Sequence, residues 1–264
     1  MNDSVLTLRG VIKRFGGVTA VDGVSFDLAP GMVTALIGPN GAGKSTVINL
    51  VTGVLRPNEG QVLLGGRDAT ALPMHERARL GVARTYQTPQ MIHGLSALGN
   101  AMAGAYRFGA HGLLATILRP WAVAAENARM AERAVAALRR AAVPEALWSR
   151  PAAELAYGLQ RRVEIARALV QDPTVLLLDE PAAGLNPSET AELADLLLDI
   201  AREGRAVLLV EHDMPMVMSI AGHVVVVNFG RRIAAGTPAE IAANPEVITA
   251  YLGTEDDPVE GMAA

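Results

Sequence analysis

Residues 38–45 read GPNGAGKS, a loop in which glycines recur and a lysine and a hydroxyl residue close the run. This G-x-x-x-x-G-K-[ST] spacing aims successive backbone N–H groups at phosphate oxygens, and the glycines let the backbone approach without a Cβ clash. Lys44 would reach the β- and γ-phosphates of a nucleotide, and the Ser45 hydroxyl would ligate Mg²⁺. Gly38, Pro39, Asn40, Gly41, Ala42, Gly43 and Thr46 complete the expected cradle.

Such a loop needs a second carboxylate on the metal side. The run TVLLLDE, residues 174–180, ends an apolar stretch on Asp179, where the ligand crevice of an α/β sheet lies. Glu180 follows at once, placed to act as general base toward a water attacking the γ-phosphate in line. A helix N-cap is the plain alternative for an Asp-Glu pair, but the phosphate loop upstream favours chemistry. His212 closes a second apolar run, VLLVEH, and would meet the γ-phosphate at the same sheet edge. Gln87, in ARTYQTPQ, carries an amide that can accept from the nucleophilic water and bind Mg²⁺. Lys44, Gln87, Glu180 and His212 are therefore the candidate catalytic groups; Ser45, Gln87 and Asp179 are the candidate metal ligands.

The elements that must hold these residues are written around them. VLTLRGVIKRF and AVDGVSFDLAP alternate apolar and polar residues, which predicts two strands joined at Gly16 and Gly17. MVTALIG feeds the phosphate loop and KSTVINLVTGV has helical spacing, so a strand, a loop and a helix follow one another. EGQVLLGG reads as another hairpin strand. From about residue 95 to 142 the composition shifts to Ala, Leu, Met and Arg. There Met130, Ala134 and Leu138 form one helical stripe, expected to pack in the core. TVLLLDE and RAVLLVEHD have the uninterrupted apolar character of buried parallel strands. The alternation predicts a parallel sheet with a helix-rich insertion. The ending TEDDPVEGMAA is expected to be disordered.

A chain of 264 residues, half of them hydrophobic and 19% charged, can bury a large α/β core. Its net charge of −4 argues against a nucleic-acid partner. The absence of cysteine excludes disulfides and thiolate metal sites and suits a reducing cytoplasm. MNDSVLTLRG lacks the basic and apolar regions of a signal peptide. The charge-free stretches 85–106 and 214–230 both contain Pro, His, Asn and Gly, a poor composition for a lipid-spanning helix. A soluble protein is expected, with any membrane role reached through a partner.

The order of these motifs resembles the ATP-binding cassette of ABC transporters over residues 6–253: aromatic loop, Walker A, Gln loop, signature, Walker B, D-loop and His loop. The resemblance implies an α/β P-loop NTPase cassette: a RecA-like parallel-sheet core, an antiparallel β subdomain and an inserted α-helical subdomain. It divides the chain into a β subdomain with the phosphate loop (1–88), the helical subdomain with the signature (89–165), the rest of the core (166–235) and a C-terminal segment (236–264). By that likeness Phe15 would stack on the adenine of ATP. PAAGLNP would be the D-loop, with Asn186 where Asp is common. LAYG would be the signature opening the helix QRRVEIARAL, with Ala156, Tyr157 and Gly158 facing a second subunit's nucleotide.

GVARTYQTPQMIHGLSALGN, DEPAAGLNP and GTPAEIAANPEVITAYLG resemble the ATPase subunits of branched-chain amino-acid uptake systems. That implies ATP and Mg²⁺, transmembrane permease subunits, a second cassette, and indirectly a periplasmic solute-binding protein. It also implies a place on the cytoplasmic face of the inner membrane. Residues 91–95 would dock the membrane partner, the alternative being that their apolar side chains belong to the core. Ala156 stands where the signature serine donates to the γ-phosphate, so a non-identical partner with a serine signature is expected, an identical one being the alternative. A lipid or polysaccharide exporter, a soluble ABC ATPase and a binding module without turnover are the competing readings.

Overall fold

The alternating N-terminal segments pair across their two-glycine turn. In the computed structural model, which describes residues 4–105 and 120–252, β1 (Leu6–Phe15) and β2 (Val18–Leu28) are antiparallel. Gly16 supplies the left-handed backbone there, at φ 56°. β4 (Glu59–Leu64) pairs with the other edge of β1, and the short β5 (Arg67–Asp68) completes a four-stranded sheet. The acidic ending lies outside the described residues.

The uninterrupted apolar runs form a second sheet. It comprises β3 (Val33–Ile37), β6 (Val82–Arg84), β7 (Val175–Asp179), β8 (Ala206–Val210), β9 (His223–Asn228) and β10 (Arg231–Gly236). The order is β10-β9-β3-β8-β7-β6. Every residue of β3, β7 and β8 is buried, which is why those runs carry no alternation. The expected parallel sheet holds for five strands, and β10 adds an antiparallel edge through a hairpin turn at Phe229 and Gly230.

Nine α-helices pack around these sheets among the described residues. α1 (Lys44–Thr52) and α2 (Met74–Arg79) come before the insertion, and α3 (Ala97–Ala103) and α4 (Pro120–Arg140) lie within it. α5 (Tyr157–Leu169), α6 (Pro187–Arg202) and α7 (Met214–Ile220) flank β7 and β8 in sequence. α8 (Pro238–Ala242) and α9 (Pro245–Leu252) follow β10. The Met130, Ala134 and Leu138 stripe is buried as expected, where α4 packs on α3 and α5. Arg77, fully buried on α2, donates to the carbonyls of Leu50, Val51, Thr70 and Leu72, satisfying two carbonyls at the end of α1. Burial pulls its guanidinium down to about 10. No described helix is long and apolar enough to cross a membrane.

Candidate functional site

Four neighbouring parallel strands, β3, β8, β7 and β6, present their C-terminal ends along one sheet edge. The phosphate loop follows β3, His212 follows β8, Asp179 and Glu180 close β7, and Gln87 follows β6. Residues distant in sequence thus follow strand ends along the edge where α/β sheets bind ligands, and of these Gln87 meets Glu180 directly.

The phosphate loop owes its shape to its glycines. A Cβ on Gly38 would collide with the carbonyl of Val227, and one on Gly43 with that of Ala20. Gly43 also caps α1 in a left-handed conformation, φ 98°, with no side-chain cap. First-turn N–H groups of a helix have no intrahelical partner, so an anion fits here. Lys44 is buried, and its ammonium donates to the carbonyls of Gly38 at 2.6 Å and Pro39 at 2.9 Å. Desolvation pushes that ammonium down from the usual lysine range, while Glu180 and Asp179 pull it back up. Ser45 is exposed and Thr46 half-buried beside it.

Asp179 has a partner that sequence reasoning did not name. Arg84, the last residue of β6, donates Nη2 to Asp179 at 3.0 Å and Nη1 to Asn49 Oδ1 on α1 at 2.6 Å. One guanidinium therefore joins the phosphate-loop helix to the β7 carboxylate. Burial pushes Asp179 above the usual carboxylate range; the charge and hydrogen bond of Arg84 oppose this, as does Lys44, while Glu180 adds to it. As expected ligands, Ser45, Gln87 and Asp179 would offer one hydroxyl, one amide oxygen and one carboxylate, a sparse set. Sparse sets suit Mg²⁺, which keeps waters and phosphate oxygens as its other ligands.

Glu180 is not the helix cap of the plain alternative. Its backbone is left-handed, φ 47°, and its N–H donates to Val210 at 2.8 Å. Such a conformation costs a non-glycine residue about 1–3 kcal/mol, a strain that gathers at functional sites. The side chain meets Gln87, whose Nε2 donates to Glu180 Oε2 at 2.7 Å. His212 keeps two-thirds of its side chain exposed, and its N–H donates to Glu211 at 3.1 Å. Glu211 was also missed by sequence reasoning: buried, it accepts from the Ala182 N–H at 2.7 Å and so ties the turn after Glu180 to the His212 loop. Burial pushes the Glu211 carboxyl up, and those two N–H groups pull it down. Phe15, at the end of β1, is half exposed with the Lys13 ammonium 5.2 Å from its ring centre.

The LAYG segment lies against residues 184–189 of its own chain. Ala156 is the N-cap of α5, which starts three residues before the run QRRVEIARAL. The Tyr157 ring covers Gly184, where a Cβ would stand 3.3 Å from Cε1. The Tyr157 phenol oxygen accepts from Arg161 Nη2 at 3.3 Å. A Cβ on Gly158 would stand 2.7 Å from Glu189 Oε1, so this glycine has a reason inside the chain as well. Glu189 in turn forms a capping box with Asn186, which starts α6. At the far end, the Tyr251 phenol of α9 is pushed up by burial, opposed by a hydrogen bond from the Gly38 backbone. The C-terminal segment thus reaches the phosphate loop, bounding a cleft of ≈ 720 Å³ with Asn40, Gly41 and Phe229.

A phosphate loop, paired carboxylates and a glutamine on one parallel sheet edge define a P-loop nucleotide-binding cassette. The family model for ABC transporters matches residues 21–183, and that for branched-chain amino acid ATP-binding cassette transporters matches residues 231–257. The high-affinity branched-chain amino acid transport ATP-binding protein LivG of Escherichia coli (strain K12) is 41% identical over 254 residues, covering 96% of this chain and 99% of LivG. BraF of Pseudomonas aeruginosa, described in the same words, is 42% identical over the same coverage. A crystal structure of a nucleotide-free ATP-binding cassette from an ABC transporter superposes with TM-score 0.83 at 32% identity, covering 95% of this chain and 100% of that one. The ADP conformation of an ABC transporter cassette gives TM-score 0.81 at 30% identity, covering 95% and 99%. The chain belongs to the ABC transporter family as an ATPase subunit, in the branch that carries the branched-chain amino acid C-terminal segment.

Proposed function

We propose that this chain is the ATP-hydrolysing motor of an importer for branched-chain or other hydrophobic amino acids or related small amides. The match of residues 231–257 to the branched-chain cassette segment carries the substrate class. The division into 1–88, 89–165, 166–235 and 236–264 belongs to the same reading.

In the proposed cycle Phe15 stacks on adenine while residues 38–46 wrap the phosphates. Lys44 exchanges its two carbonyl acceptors for phosphate oxygens, which accept more strongly because they are charged. Mg²⁺, held by Ser45, Gln87 and Asp179, would neutralise phosphate charge when bound. Glu180 takes the proton of the attacking water, Gln87 orients that water and carboxylate together, and His212 contacts the γ-phosphate. Ala156, Tyr157 and Gly158 face the nucleotide of a second cassette, with a non-identical partner favoured by the missing serine. Two permease subunits, served by a periplasmic solute-binding protein, would hold the pair at the cytoplasmic face of the inner membrane. The exposure of Ile92 and Leu95 supports residues 91–95 as the docking segment.

The test is ATP-dependent uptake in vesicles carrying the permease subunits, the binding protein and both cassettes. Leucine, isoleucine or valine should accumulate; no uptake of any hydrophobic amino acid or amide overturns the substrate class. Full transport with this chain as the sole ATPase overturns the unequal pair. A gain of function is also expected from Ala156→Ser. The new hydroxyl restores a donor to a charged phosphate, a bond of about 1.5–3 kcal/mol. The ATP concentration for half-maximal closure at that site should fall about tenfold or more, read by crosslinking of the pair.

A further inference from the structure

The ion pair of Arg161 and Glu164 on α5 has no part in the cycle above. Both side chains are 1% exposed, and Arg161 Nη1 donates to Glu164 Oε2 at 2.9 Å. So deeply buried a pair gains little net stability over apolar side chains of similar volume. What else it touches suggests its use. Arg161 Nη1 and Nη2 donate to the carbonyls of Tyr86 and Gln87. Glu164 Oε1 accepts from the Tyr86 N–H at 3.2 Å, and Arg167 donates to the Gln90 carbonyl at 2.6 Å. The last ladder bond of β6 is made by the Thr85 N–H to Leu177, at 2.9 Å. Beyond it, side chains of α5 take the place of a neighbouring strand.

The strip fixed in this way carries Gln87, whose side chain meets Glu180 at 2.7 Å. On its other flank Arg161 donates to the Tyr157 phenol, and the Tyr157 ring rests on Gly184. One guanidinium therefore touches the Gln loop and the signature, and through the tyrosine ring reaches the D-loop. Tyr157 stands where the usual signature has glycine, and a glycine could not make this strut.

We propose that Arg161, locked by Glu164, is a positioning residue of the hydrolysis site: it fixes the Gln87 backbone so that the amide holds Glu180, and couples that geometry to Tyr157 and the D-loop. This inference rests on the roles of Gln87 and Glu180 under Proposed function. A shift of α5 at the signature then moves the glutamine with it. The face that meets the partner's nucleotide and the geometry of this chain's own base change together.

The test uses the assembled transporter. Arg161→Lys keeps the charge but loses the planar fork that serves two carbonyls and a carboxylate. Turnover should fall about tenfold, the scale of a small misplacement of reacting groups, with KM for ATP within about twofold. Gln87→Ala should lower turnover too, and the double variant should be no slower than Gln87→Ala alone, because both changes act through one contact. Arg161→Met with Glu164→Gln removes both charges together; the Tyr86 and Gln87 carbonyls then lack their donor, so the melting temperature should fall modestly, while the folded variant shows the same loss of turnover. Native turnover in either folded variant, or losses that multiply in the double variant, overturns the inference. Glu180→Gln separates the two readings. If it still hydrolyses ATP the general-base reading fails; if it is dead while Arg161→Lys runs at the native rate, only the positioning inference fails.

Discussion

Glu180→Gln binds ATP as tightly as the native chain, turns over about 10²–10⁴-fold more slowly, and accumulates as a closed pair of cassettes. The substitution is isosteric, so the left-handed backbone at φ 47° and the bond from its N–H to Val210 are untouched. An amide oxygen still accepts from Gln87 Nε2. What it cannot do is take a proton from water. Binding is spared for a second reason: the carboxylate is a like charge for the incoming phosphates, and its removal lowers that repulsion. ATP-driven closure is a population shift set by differential affinity, and without hydrolysis nothing releases it. ATP affinity by equilibrium binding, single-turnover hydrolysis and the fraction of closed pairs check the three parts separately. Hydrolysis at the native rate removes Glu180 as the base.

The parts of this site that were legible in the sequence are those written in short, contiguous stretches. The phosphate loop carries its own geometry, because Gly38 and Gly43 are the residues that the carbonyls of Val227 and Ala20 allow. Asp179 and Glu180 are legible because an apolar run as short as VLLL, after Pro173, reads as a buried strand, and the end of such a strand is where ligands bind. The Arg84 bridge has no such local mark. Its partners Asn49 and Asp179 are 35 and 95 residues away, and only the pairing of β6 with β7 and the packing of α1 on both bring them together.

Arg161 did leave a signal. It shares a helical face with Glu164, Ile165 and Ala168, all buried, so a charged pair interrupts an otherwise apolar stripe. Reading it needed the knowledge that residues 86–90 lie against that face. The fold divides in the same way. The types of the elements read in the sequence followed from their apolar patterns, whereas β9, β10, the order β10-β9-β3-β8-β7-β6 and its antiparallel edge appear only with long-range pairing. LAYG shows both limits at once. The absence of a serine hydroxyl is plain in the sequence, and the strut that Tyr157 forms appears only in three dimensions.

Lys44→Ala separates binding from chemistry from the opposite side: nucleotide affinity itself falls by about two orders of magnitude, since each bond lost to a charged oxygen is worth about 1.5–3 kcal/mol. ADP should lose less than ATP if, as proposed, the lysine reaches both the β- and the γ-phosphate. The buried ammonium now donates to the carbonyls of Gly38 and Pro39, so its removal leaves two acceptors short of a partner. It also relieves the desolvation that pushes this ammonium down, and the two effects on folding oppose each other. The melting temperature of the nucleotide-free chain should therefore change little. Calorimetric titration with ATP and ADP, each with a melting curve of the free chain, reads all of this. Unchanged affinity for both nucleotides in a folded Lys44→Ala chain would show that residues 38–45 do not hold phosphate, whereas lost affinity beside the intact binding of Glu180→Gln places recognition on the loop and proton transfer on the carboxylate.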